Sequence, residues 1–317
     1  MWILLTYISA PFVKYFGMTE ATGPIGAIAV LLALSVALVG VTASPLPSVR
    51  VIAVVPVGTG PQEVAFDPLN GYLYVANTGS NNVTIINGAT NTVVASVAVG
   101  RFPRATAVDD RTGNLYVTNT GSGTVSVLNG SSGTPLVTIA PPSLTGPSGI
   151  VFDPATASIY FAAYTSAPPF SGELVIVNDT TNTVVGQIPL PDLAHGLAYD
   201  PRNGLIYAGL TTSVAIIDPA TRAVVATTRV GPSPVSIAID SLNGHVFVTS
   251  LNSWNVSVLD DVNNSLIGSI PCGFQSWGVA FDTRTNEMIV TTESTASPFQ
   301  NGLTVIDPVN DTISTSV

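Results

Sequence analysis

From Val49 to Val317 short apolar runs alternate with clusters of Asp, Asn, Pro, Gly and Thr, and the runs recur in a fixed order. The first full copy starts with Gln62-Glu63-Val64-Ala65-Phe66, a half-apolar run that reads as an innermost strand. Asp67-Pro68-Leu69-Asn70-Gly71 follows as a turn, since Asp and Pro set a bend and Asn-Gly tolerates positive φ. Tyr72–Ala76, Val83–Ile86 and Val93–Val99 are three further strands, rich in residues that fit a half-buried pleat. The landmark aspartate of each copy falls at Asp67, Asp109, Asp153, Asp200, Asp240 and Asp282, at steps of 42, 44, 47, 40 and 42 residues. A period of roughly 40–45 residues holding four short strands is the signature of propeller blades. The chain is therefore expected to be all-β, a propeller of four-stranded blades over residues 49–317, behind an N-terminal hydrophobic segment over residues 1–48.

Three strand types occur six times, but the outer type occurs seven times, because Arg50–Gly58 precedes the first full copy. That extra strand either closes a ring of six or belongs to a seven-bladed ring cut short. The third strand ends 25 residues after the landmark Asp in copies three and six, against 18 to 20 elsewhere. Both long copies carry a Pro-Phe insertion, Ala167–Gly172 and Ser297–Gly302, and copies three apart face each other only in a ring of six. Six is the expectation.

The copies resemble the YVTN-type repeat β-propellers of surface-layer-like and exported proteins. Tyr116-Val117-Thr118-Asn119 is that tetrad, and Tyr74-Val75-Ala76-Asn77 differs from it at one position. Later copies drift, through Tyr160-Phe161-Ala162-Ala163 to Ile289-Val290-Thr291-Thr292. The resemblance implies a propeller placed outside the cell, and it says little about activity, because one fold serves many roles.

Composition agrees with that place. Of 317 residues, 46% are hydrophobic and only 9% charged, so Ser, Thr, Asn and Gly carry the polar half of the pattern. A net charge of −10 with nine basic residues leaves no footprint for nucleic acid. Ile25–Val41 runs without a charge and reads as a helix about 26 Å long, followed by the small-x-small pattern Val41-Thr42-Ala43. A cleaved signal and a retained membrane anchor are both open, as is a start at Met1 or Met18. Cys272 stands where another copy has Val57, so it is expected to be a small buried hydrophobe.

The position five before each landmark Asp should line the mouth of the central channel. It holds Gln62, Arg104, Ser148, His195, Val235 and Trp277, and the next holds Glu63, Ala105, Gly149, Gly196, Ser236 and Gly278. The framework repeats while this position changes chemistry, as a scaffold with its own binding face would show; drift at exposed turns would give the same variation. The candidate site is Glu63, Arg104, His195 and Trp277, ringed by Tyr164, Phe170 and Phe299 from the long copies.

The six aspartates sit one per blade before a turn and cannot converge on one ion, so they are read as structural. With only His195 and His245, at different repeat positions, no metal site and no cofactor are expected. Asn-x-Ser/Thr sequons at Asn82, Asn129, Asn178, Asn255, Asn263 and Asn310 are candidate glycosylation sites. The leading expectation is a non-catalytic, exported or membrane-tethered propeller at the cell surface that binds a protein or glycan. A lyase or lactonase-like hydrolase with its site at the channel mouth, and a structural envelope module, are the alternatives.

Overall fold

The structure is a computed structural model that describes residues 2–5, 28–29, 53–273, 275–293 and 301–316. The apolar run expected to be helical lies outside these residues, save Ile28–Ala29, a two-residue strand. No helix among the described residues is long and apolar enough to cross a membrane.

Six antiparallel sheets follow one another along the chain, each with its inner, second, third and outer strand in sequence order. Blade one is Pro61–Phe66, Tyr72–Asn77, Asn82–Asn87 and Thr92–Ala98, within a residue of the sequence reading. Blades two to six span Pro103–Ile139, Leu144–Leu190, Leu197–Arg229, Pro234–Pro271 and Gln275–Ser316. In blade three a short piece, Leu144–Thr145, pairs the second strand ahead of the inner strand Ile150–Asp153. The six-blade expectation holds. The seventh outer-type strand does not complete blade six, whose outer place is taken by Thr312–Ser316. Ala53–Pro56 pairs antiparallel with Trp2–Leu5 instead.

The sheets of blades two to five bury both faces against neighbouring blades, which is why their inner three strands read as near-continuous apolar runs. Tyr74, Val83 and Ile85 of blade one, for instance, pack against Leu115, Val117 and Leu128 of blade two. Sheets stacked this way need small and branched side chains between them, and Val, Ile and Ala supply these. Cys272 sits buried in the core of blades five and six beside Val256, Val258 and Ile270, as its repeat position implied. Burial pushes its thiol up from the usual value, so it is a packing residue and a poor nucleophile.

Polar groups lock the blades together. The tetrad tyrosine, fully buried, reaches the turn between the third and outer strands of the following blade. Tyr74 donates to Gly130 O (2.8 Å), Tyr116 to Asn182 Oδ1 (2.6 Å), and Tyr207 hydrogen-bonds Asn264 Oδ1 (2.9 Å). Burial raises all three phenols well above their ordinary range, so they stay protonated and able to donate. The tetrad asparagine works within its blade: Asn77 Nδ2 donates to Thr84 Oγ1 and Asn119 Nδ2 to Ser126 Oγ, both at 2.9 Å. The motif is thus a structural device.

Candidate functional site

The propeller has two dissimilar faces. On one lie the inner-to-second and third-to-outer turns, which abut each other: Gly88 N donates to Gly71 O. This face is uniform. Each of the six landmark aspartates is buried and accepts a bond at 2.8 or 2.9 Å from the amide two residues on, from Leu69 in blade one to Arg284 in blade six. Asn87, Asn129, Asn178, Asp218, Asp260 and Asp307 repeat the same turn at the end of each third strand. The structural reading of the aspartates is correct, and it also accounts for Asn129 and Asn178, whose side chains close their own turns. Asn263 and Asn310 are exposed on this same face. Asn82 and Asn255 begin third strands and so lie on the opposite one.

That opposite face carries the linkers between blades and the second-to-third loops, and it is where the inner strands begin. Successive inner strands pack around the axis there. Thr118 Oγ1 donates to Ser148 O (2.7 Å), Ser148 Oγ to Ala194 O (2.8 Å), and Thr249 Oγ1 to Trp277 O (2.7 Å). Where no side chain fits, glycine stands. A Cβ on Gly149 would lie 2.2 Å from His195 O, and one on Gly196 would lie 2.5 Å from Val235 O. This slot therefore faces the next inner strand. In blade one it holds Glu63, whose charge acts on Arg104 of blade two.

The electrostatics show these groups in one field. Burial pushes the Arg104 guanidinium down from its ordinary value, and Glu63 opposes that shift. Burial also lowers His195, Arg104 lowers it further from two blades away, and Asp192 opposes both. His195 is consequently neutral at pH 7. Its Nδ1, and Nε1 of Trp277, are buried without a hydrogen-bond partner among the described residues. The charge of Glu63 acts on Arg104 and that of Arg104 on His195, and Trp277 holds the matching place on blade six. Tyr164 and Phe170 meet edge to face at 6.2 Å, and Tyr164 lies over Gly146 in the linker into blade three. Phe299 falls outside the described residues.

Sequence reasoning missed two aromatics on this face. Phe102, in the linker between blades one and two, is 48% exposed, and Trp254, in the second-to-third loop of blade five, is 54% exposed. Both have left-handed backbones, φ 51° and 57°. Phe102 is held against Gly121, with the Arg101 guanidinium 5.8 Å from its ring centre. Their signal was a lone aromatic among turn residues that otherwise favour Gly and Ser.

No group of three or more metal-ligating side chains occurs among the described residues. His245, the other imidazole, is a blade-edge residue 3.6 Å from Asp311 of blade six.

The chain is a β-propeller. No protein-family model matches it, and no curated protein matches it in sequence. Among solved structures, the propeller is similar to hydrazine synthase of Kuenenia stuttgartiensis, with a TM-score of 0.64 at 20% identity over 77% of this chain and 75% of that one. It is also similar to dihydro-heme d1 dehydrogenase NirN, solved in complex with DHE, with a TM-score of 0.57 at 15% identity over 84% and 68%. At such identities the likeness establishes the shared fold alone.

Proposed function

We propose that this propeller is a non-catalytic binding module of the cell surface, of the YVTN repeat type, that takes a protein or glycan on its mouth face. One observation carries the reading: the two faces differ in kind. Six near-identical turns make the far face a scaffold, whereas the mouth face holds a different side chain in every blade. Exposed Phe102, Phe170 and Trp254 supply flat apolar surface, and such aromatics stack on sugar rings or seat in protein pockets. Arg104, His195 and Trp277 add hydrogen-bond donors whose desolvation is already met in the folded ring. The sparse charge of the chain and its Ser/Thr/Asn surface suit a place outside the cell.

Purified propeller applied to a glycan array and to intact cell surfaces tests this. Arg104→Ala, Trp277→Ala and Trp254→Ala should each weaken binding about tenfold or more, as the loss of one anchor does. Leu69→Ala and Val309→Ala, exposed on the far face, should leave it unchanged. Equal losses from both faces, or none from either, would contradict the proposal.

A further inference from the structure

The junction between blades six and one differs from the other five: a buried apolar core spans each pair of successive blades from one to six, and none among the described residues spans blades six and one. At three of those, the tetrad tyrosine clips the following blade; in blade six its slot holds Ile289, which cannot donate. Two junctions also carry a cross-blade ion pair, Arg111 with Asp179 and Arg202 with Asp261. Blade six has the matching arginine, Arg284, but the matching position of blade one is Gly88. Blade five packs on blade six with neither device, so it is the missing shared core that marks the seam between blades six and one.

Blade one, by contrast, is entered as though a blade preceded it. Thr59 N donates to Ser80 Oγ (3.1 Å) and Gly79 N to Thr59 O (2.9 Å). The linker from blade one into blade two repeats both bonds, Arg101 N to Ser122 Oγ (2.9 Å) and Gly121 N to Arg101 O (3.0 Å). Gly58 and Gly100 press on equivalent serine and asparagine side chains. Ala53–Pro56 thus stands where the outer strand of a preceding blade would stand. From there Val55 and Val57 cover Val64, Leu73, Val75 and Ile86 of blade one.

We infer that the ring has a seventh position at this seam, a strand-acceptor site filled by the chain's own upstream residues. Ala53–Pro56 is its outer strand. Trp2–Leu5 takes the third-strand place, antiparallel to it with Ile3 opposite Val55. Ile28–Ala29 pairs with Trp2–Leu5 and lies against Asn301–Asp307 of blade six, which bridges the gap. Its direction is parallel, so the plug is an improvised three-stranded sheet and not a seventh copy of the repeat. Trp2–Leu5 and Ile28–Ala29 then belong to the folded ring.

The full chain carrying Ile3→Cys and Val55→Cys, with Cys272→Ser, tests this under mild oxidation. An intramolecular crosslink in most molecules is expected; no crosslink, or one between two chains, would overturn the proposal. A second comparison, independent of folding by the cysteine variant, sets the full chain against a chain beginning at Ser44. Loss of the plug strands should lower Tm by about 5 °C or more. An equal Tm, or purified mature protein that lacks residues 2–29, would overturn it as well.

Discussion

The hydroxyl of Tyr207 in blade four donates to Oδ1 of Asn264 in blade five at 2.9 Å and accepts from Asn203 Nδ2 at 3.0 Å. Removing that hydroxyl costs a buried cross-blade bond and strips Asn203 of a partner. Tyr207→Phe should therefore destabilise the ring by about 1–2 kcal/mol. Urea unfolding would show a lowered midpoint with an unchanged slope; an unchanged midpoint would contradict the clip. Blade five has Phe247 in the same slot and so lacks this clip.

The two cross-blade ion pairs should not be equal. Arg202 Nε lies 2.9 Å from the nearly buried carboxylate of Asp261, and its Nη1 reaches the carbonyls of Ser241 and Leu242. Arg111 is more exposed and approaches Asp179 only to 3.4 Å. Arg202→Ala, which loses the shorter ion pair and two carbonyl contacts, is expected to cost about 1–2 kcal/mol, and Arg111→Ala, which leaves the buried Asp179 carboxylate unpaired but loses a longer contact, about 1 kcal/mol. Chemical denaturation of both variants ranks them; a larger loss from Arg111→Ala would reverse the assignment.

The glycines of the channel wall should resist the smallest enlargement. Gly149→Ala and Gly196→Ala place a methyl group within 2.2 and 2.5 Å of backbone oxygens on the next inner strand. Each should cost about 2–3 kcal/mol, since backbone must move. Gly113→Ala meets nothing within 4 Å and suffers only from its positive φ of 71°, so about 1 kcal/mol is expected. Thermal unfolding that ranked Gly113→Ala as the worst of the three would show that the inner strands do not pack as described.

Much of this was legible in the chain because each blade obeys local rules. Alternation, Asp-initiated turns and positive-φ Asn-Gly pairs place strands such as Tyr72–Asn77 to within a residue. The mouth position could be read too, since the repeat frame makes Arg104 and His195 equivalent although 91 residues separate them. Contacts between blades were not legible. Tyr116 reads as a good strand residue, and nothing local says that its hydroxyl reaches Asn182. Phe102 and Trp254 escaped because positive φ at a non-glycine residue is set by tertiary packing. The pairing of Ala53–Pro56 with Trp2–Leu5 is non-local and outside the repeat, so periodicity was silent about it.

His195 should also mark the acid limit of the ring. Its folded pKa lies below its ordinary value of 6.5, because burial and Arg104 both disfavour the imidazolium. The unfolded chain therefore takes up a proton first as pH falls below 6.5, and the folded state loses stability until its own lower pKa is reached. His195→Gln should flatten that part of the stability–pH curve, measured as urea midpoints between about pH 7 and 5. A curve unchanged by the substitution would mean that His195 titrates as in an unfolded chain.

The convergence of separate blades on one mouth is tested most directly by NMR titration of the His195 imidazole in the wild type and in Arg104→Gln, with His245→Gln used to assign the resonances. The wild-type imidazole should titrate below 6.5, and the Arg104→Gln imidazole should titrate higher than the wild type. The same midpoint in both proteins would mean that blades two and four do not share a mouth, and the candidate site would fall with it.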